Sequence, residues 1–303
     1  MAELPLSSKA EELLQKMLLA WPAIIRGRWR EKLMIIANLH AAANGEKEIS
    51  ADTLLNILNV WPFSEHSWVI KGTLLHLGLI TREEMFRGRE AVLKPTIRFW
   101  STDESNKIKI APSGKTKVAA ILGSPRKGGN TDIIIDELLK GAESAGAEVE
   151  KVHLNKLNIR YCTGCDKCRD KSFKGFCSLK DDMTPVLYKQ FLECDVLIVG
   201  FPIYTGRESA VLANYHDRLY GLGSFPWMFE GKKRRGALVV TWGAPNARAF
   251  ERIIDHHVSL MSWYGVTVEE AVYGSGCTEK GIIAQDKEGL QKTFEAGKRL
   301  VMV

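Results

Sequence analysis

The chain has 303 residues, 45% of them hydrophobic and 26% charged, with a formal net charge of +6; this is ordinary for a soluble globular protein of one large or two average domains. No apolar run approaches the ~20 residues of a membrane span, residues 1–25 lack a signal-peptide pattern, and so mild a charge does not argue for nucleic acid, so a cytoplasmic protein is expected. Six cysteines are few for a disulfide scaffold, and four of them crowd into residues 162–177, which in a reducing compartment points to a metal or redox centre.

Residues 1–100 read as a smaller, mainly helical domain. Helical runs are expected over Ala10 to Leu19, Arg30 to Ala43, from a cap at Ser50 or Asp52 to Leu58, and from Ser64 to Leu77. Trp21-Pro22 interrupts the first two and Gly78 stops the last. Leu79-Ile80 and Ala91 to Ile97 look like short strands flanking the polar stretch 81–90. Helices followed by a hairpin give a winged-helix outline, in which Arg26, Arg28 and Arg30 would touch phosphates. Yet 13 Lys+Arg stand against 11 Asp+Glu here, a net of 13 − 11 = +2, and no basic stripe marks a nucleic-acid face. A docking or dimerisation module is the better reading. Residues 101–116 form a polar connector and the expected domain boundary.

From residue 117 strand and helix alternate. Strands are expected at 117–122, 148–154, 195–201, 236–241 and 266–273, and helices at 130–145, 183–193, 208–222, 247–264 and 286–301. That pattern predicts an α/β domain, a doubly wound five-stranded parallel sheet with its ligand at the carboxyl ends of the strands. The loops after the first, third and fourth strands should carry the site.

The first loop runs Gly-Ser-Pro-Arg-Lys-Gly-Gly-Asn-Thr over 123–131. Strand, small-residue loop and helix start make a phosphate cradle: unpaired helical N–H groups, hydroxyl and amide groups from Ser124, Asn130 and Thr131, and the charge of Arg126. It is not a P-loop, because Gly129 sits where the lysine belongs and Asn130 where the magnesium-binding hydroxyl belongs. The dinucleotide fingerprint is also absent, since Ser-Pro follows Gly123. A terminal monophosphate, as in flavin mononucleotide, needs neither. The second loop, Pro202-Ile203-Tyr204-Thr205-Gly206, offers backbone amides for a ring edge and Tyr204 as a stacking face. The third contains Thr241-Trp242-Gly243-Ala244-Pro245. Asp217-Arg218, in the helix that follows the second loop, is either an internal ion pair near the site or a solvated one.

Cys162, Cys165 and Cys168 follow one another at two-residue gaps, and Cys177 comes eight residues later. One loop can thus wrap three corners of a cubane while a fourth thiolate closes it. The ferredoxin spacing is similar but has a shorter final gap. A [4Fe–4S] cluster, zinc, and redox-active thiols all remain open on this pattern. Cys194 and Cys277 read as packed thiols. His256 and His257 lack the i, i+4 spacing of a helical metal pair and read as structural.

Together these motifs resemble the flavodoxin-like NADPH-dependent FMN reductases. Gly-Ser-Pro-Arg-Lys-Gly-Gly-Asn-Thr (123–131), Phe-Pro-Ile-Tyr (201–204) before Ser209-Ala210, and Asp217-Arg218 carry the likeness. Tyr-Cys-Thr-Gly-Cys-Asp-Lys-Cys with Cys-Ser-Leu-Lys-Asp-Asp-Met (177–183) resembles their iron–sulfur flavoprotein branch. The resemblance spans about 116–303. It implies a flavodoxin-like fold with FMN at the three loops: phosphate on Ser124, Arg126, Gly129, Asn130 and Thr131, ring at Pro202–Gly206 and at Thr241, Trp242 and Gly243. It also implies a [4Fe–4S] cluster on Cys162, Cys165, Cys168 and Cys177 and a homo-oligomer that joins cluster and flavin of different subunits. The expected function is an oxidoreductase passing electrons from a ferredoxin-type one-electron carrier to a two-electron acceptor, with no protein residue as the catalyst. The alternatives are an NAD(P)H-dependent flavin, quinone or nitro-compound reductase with structural or zinc-bound cysteines, and a redox-sensing regulator read out through the amino-terminal domain.

Overall fold

The computed structural model describes residues 4–58, 67–86, 95–103, 106–109, 114–170, 172–173, 175–223, 232–244 and 250–302. The chain divides into two units, Met1–Lys94 and Pro95–Val303. No helix among the described residues is long and apolar enough to cross a membrane.

The first unit is helical, with helices Ser8–Leu18, Ala23–Ala43, Ala51–Ile57, Ser67–His76 and Arg82–Phe86. Ser7 caps the first helix by accepting the Ala10 N–H, and Ser50 and Thr53 form a reciprocal capping box on the third. Leu14, Met17, Leu33, Ala37, Ile57 and Leu74 fill the core at 0% exposure. The second helix starts seven residues before the expected Arg30, because Pro22 suits a helix entry and the polar stretch that hides its period is in fact engaged. Arg30 grips Glu11 through both its nitrogens at 2.9 and 3.0 Å, and Arg26 Nε donates to the Trp21 carbonyl. Two of the three arginines assigned to phosphate are therefore held inside this unit. The expected wing also differs. Residues 82–86 are helical, since Thr81 and Glu84 cap each other, while 87–94 and the start of the fourth helix at 64–66 lie outside the described residues.

In the second unit, strands β1 (Thr96–Ser101), β2 (Lys117–Leu122), β3 (Glu148–His153), β4 (Val196–Pro202), β5 (Arg234–Thr241) and β6 (Val266–Ser275) form one sheet in the order β1-β6-β5-β4-β2-β3. Strands β2 to β6 are parallel, as expected. The sixth strand was hidden in the segment assigned to the wing and the connector: β1 pairs antiparallel with β6, from Thr96 opposite Ser275 to Ser101 opposite Glu270. Its alternation serves to cover what would otherwise be an open edge, and the Ile97 N–H reaches Asp286 Oδ2 at 2.7 Å. The division between units consequently falls at 94/95, ahead of the 101–116 connector.

β4 and β5 are buried at every position because helices cover both faces. Ala119 and Ile121 of β2 face one core with Leu187, Phe191, Leu212, Tyr215 and Met261. Val118, Ala120 and Leu122 face the other with Ile134, Leu138 and Ala296. The expected helix 183–193 opens with a π-helical turn, Met183–Tyr188, before the α-helix Lys189–Glu193; Pro185 falls in the first turn, where the missing N–H breaks no helical bond. The strand order reverses between β2 and β4, so the loops after these strands diverge and leave a crevice at their carboxyl ends.

Candidate functional site

A small pocket of about 70 Å³ opens at that crevice. It is lined by Ser124, Arg126, Gly129, Asn130 and Thr131 after β2, Pro202, Ile203 and Tyr204 at the end of β4, and Thr241, Trp242 and Gly243 at the end of β5. These are eleven of the thirteen residues expected from the three loops. Thr205 and Gly206 form the tip of the second loop, where Tyr204 and Arg207 exchange backbone hydrogen bonds and Thr205 takes a left-handed φ of 49°. Cys277 and Lys280, from the loop after β6, complete the wall.

Local chemistry fits an oxyanion. The helix Asn130–Ser144 starts at the pocket, and its first amides have no intrahelical acceptor. Ser124 is 3% exposed, and its Oγ accepts the Arg126 N–H at 3.3 Å, leaving the hydroxyl proton to donate. Gly128 holds a left-handed φ of 67° and donates its N–H to Asp132 Oδ2 at 2.7 Å. Burial alone would raise the Asp132 carboxyl, but the Lys151 ammonium at 2.7 Å and the Gly128 amide outweigh it and hold the group below the carboxylate range. Lys151 also pairs with Asp136. Asp132 thus shapes the loop while its charge is offset. Thr131 and Thr241 join their hydroxyls at 2.7 Å in a buried contact that ties the helix start to β5. Ser209 Oγ donates to the Gly123 carbonyl at 2.6 Å and ties the first loop to the second.

Three positions work differently from the sequence expectation. Trp242 is 3% exposed and stacks on Tyr273 at 5.8 Å, so its ring is packed in the core beside the pocket. Asn130 turns its amide away, donating to the Glu279 carbonyl and accepting from the Ile283 N–H. Cys277 is a wall residue as well as a packed thiol, and burial pushes it up to about 12, so it stays protonated. Beyond Gly243 the third loop continues through Pro245, and residues 245–249, including the expected start of the next helix, lie outside the described residues.

The cysteine loop is held by one face of the helix Ala210–Gly223. Asn214 Nδ2 donates to the Ile159 carbonyl at 2.8 Å. Arg218 donates to both oxygens of Asp181, at 2.7 and 3.1 Å, and to the Arg160 carbonyl. Gly221 lies under Phe176. The partner of Arg218 is therefore Asp181, with both side chains essentially inaccessible, whereas Asp217 is exposed. Positions 214, 218 and 221 share a face by helical spacing. Between these anchors Cys162 and Cys165 are exposed and Cys168 and Cys177 half-buried, none of them in a disulfide. Ser178 Oγ lies 3.5 Å from Cys165 Sγ and favours its thiolate. Among the described residues, no three Cys, His, Asp or Glu side chains are grouped closely enough to hold a metal ion; Lys171 and Lys174 lie outside them. Cys194 is buried, and burial pushes it up to about 11. His216 and His257 are packed between helices, with His216 driven down to about 3 by burial.

A doubly wound sheet with an oxyanion cradle at its switch point defines a flavodoxin-like flavoprotein. Residues 116–272 match the family described as NADPH-dependent FMN reductase, and the chain belongs to that family. It is a flavin-dependent oxidoreductase, and its flavin is FMN. An iron–sulfur flavoprotein of Archaeoglobus fulgidus is 38% identical over 184 residues, 61% of this chain and 78% of the relative. An iron–sulfur flavoprotein of Methanocaldococcus jannaschii is 37% identical over 193 residues, 62% of this chain and 96% of the relative. Among solved structures, an NAD(P)H:quinone oxidoreductase from Methanothermobacter marburgensis aligns with a TM-score of 0.49 at 15% identity, over 63% of this chain and 98% of that one.

Proposed function

We propose that this protein is an iron–sulfur flavoprotein: FMN occupies the crevice, a [4Fe–4S] cluster sits on Cys162, Cys165, Cys168 and Cys177, and electrons pass from a ferredoxin-type carrier to a two-electron acceptor. The observation that carries the reading is the placement of two separate devices around one helix. The phosphate cradle lies at its amino-terminal side through Ser209, and the cysteine loop is clamped along its face by Asn214, Arg218 and Gly221. FMN would supply two-electron chemistry and the cluster one-electron transfer.

The chain's own residues bind and orient. The amides at the start of Asn130–Ser144, the Ser124 hydroxyl and the Arg126 guanidinium meet a phosphate. The pocket's enclosed volume suits the phosphate end, and a ring would extend toward Tyr204, which is 36% exposed at the rim. The cysteine donor set fits a cluster in number and chemistry, with a short loop fixed at both ends. A homo-oligomer would let the exposed cysteine loop of one subunit approach the flavin crevice of another.

Anaerobic purification followed by iron, sulfide, zinc and flavin quantification tests this reading. We expect about four iron and four sulfide per FMN, and loss of iron with retention of FMN in Cys177→Ala. FMN with zinc or without any metal would overturn the cluster and leave NAD(P)H oxidation as the activity to pursue.

A further inference from the structure

The loop after β6 reaches the phosphate cradle by a route that the three-loop scheme does not include. Asn130, first residue of the helix that starts at the pocket, holds this loop from both sides: its Nδ2 donates to the Glu279 carbonyl at 2.7 Å and its Oδ1 accepts the Ile283 N–H at 3.0 Å. Lys280 is the one charged residue between those two anchors, followed by Gly281 and Ile282. Lys280 lines the pocket with Ser124, Arg126 and Thr131. A methyl group at Gly128 would sit 3.8 Å from Lys280 Cε, so the lysine stem lies against the phosphate loop. Among the described residues Lys280 has no ion-pair partner. Asp132, in the first turn of the helix that starts at the cradle, is already paired with Lys151 and bonded to Gly128.

We propose that Lys280 is a cofactor-binding residue that brings a second cation to the flavin's phosphate, and that Asn130 is the positioning residue that delivers it. This rests on the FMN reading above. A terminal phosphate carries nearly two negative charges at neutral pH, and Arg126 alone matches one of them. Lys280 matches the other as a compact, mobile point charge. The site thereby discriminates flavins by charge: FMN gains from Lys280, while riboflavin, which lacks the phosphate, does not. Asn130 acts chiefly through the loop rather than as a direct phosphate ligand.

The test is flavin affinity of the full-length apoprotein, read by quenching of FMN and of riboflavin fluorescence. In Lys280→Met, FMN binding should weaken about tenfold while riboflavin binding stays unchanged, and the remaining FMN affinity should depend less on salt. Asn130→Ala should weaken FMN binding to a similar degree, yet add little in the Lys280→Met background. Unchanged FMN affinity in Lys280→Met, or equal losses for FMN and riboflavin, overturns the role of Lys280. Additive losses in the double variant would make Asn130 a direct ligand and overturn its positioning role. If the unaltered protein itself shows no preference for FMN over riboflavin, the underlying site reading fails instead. Circular dichroism of each variant, compared with the parent, separates these outcomes from misfolding.

Discussion

Asp181→Asn is expected to destabilise the protein by about 3–5 kcal/mol, because it leaves the Arg218 guanidinium buried without a counter-charge. The geometry makes the case. Asp181 accepts from Arg218 Nη1 and Nη2 and from the amides of Arg160 and Met183, and both members of the pair are nearly inaccessible. Arg218 Nε is buried with no partner, and the one other acceptor the guanidinium reaches, the Arg160 carbonyl, carries no charge. Burial by itself would raise the Asp181 carboxyl, but the Arg218 hydrogen bonds and the two amides outweigh it and hold the group low. A depressed folded-state pKa contributes stability that is present above the unfolded carboxylate value of about 3.9. That contribution is lost as pH falls through the folded value. The gap between parent and variant, measured by urea denaturation, should therefore be full near pH 7 and close progressively in acid. A gap that stays constant down to the lowest pH at which the protein folds would sink the electrostatic account.

How legible was this in the sequence? The parallel sheet was, because β4 and the Gly236–Val240 stretch of β5 are unbroken apolar runs that only a sheet covered on both faces can bury. The phosphate loop was legible for a related reason: Gly-Ser-Pro-Arg-Lys-Gly-Gly-Asn-Thr directly joins such a strand to a helix start. β1 was not, since Thr96–Ser101 has the alternation of any half-exposed strand and its partner is remote in sequence, Thr96 meeting Ser275, 275 − 96 = 179 positions on. Lys280 was missed although its signal existed. The loop after the last parallel strand must emerge at the same sheet edge as the other three, and a lysine there is a natural candidate for an anion. The Asp181–Arg218 pair had no local signal at all. Asp217 is adjacent in sequence, but it is exposed where Arg218 is buried, and only the fold brings in a carboxylate from the far end of the cysteine loop.

The same helix face makes the cysteine loop vulnerable at a second point. Gly221→Ala is expected to lift the loop away from its seat, because a Cβ there would lie 2.3 Å from the Phe176 carbonyl oxygen and 3.3 Å from the Tyr188 hydroxyl. Backbone cannot yield as a side-chain tip can, so the strain must move Phe176, and with it Cys177, which follows directly. Phe176 is further held by a tilted ring contact with Tyr188 at 5.0 Å, and Tyr188 donates to the Arg218 carbonyl. The displacement thus works against an anchored neighbour, and overpacking of this kind costs about 1–3 kcal/mol. The cradle at the other end of the helix, tied by Ser209 to Gly123, does not share that contact. The expected result is a protein that keeps FMN but loses at least half of its iron when purified anaerobically, and whose loop 161–180 is cut faster by a protease. Full iron occupancy with an unchanged proteolysis rate would show that the loop does not depend on the close approach at Gly221. Parallel loss of FMN and iron would show that the two devices are not separable, and the helix would then have to be regarded as one rigid support for both.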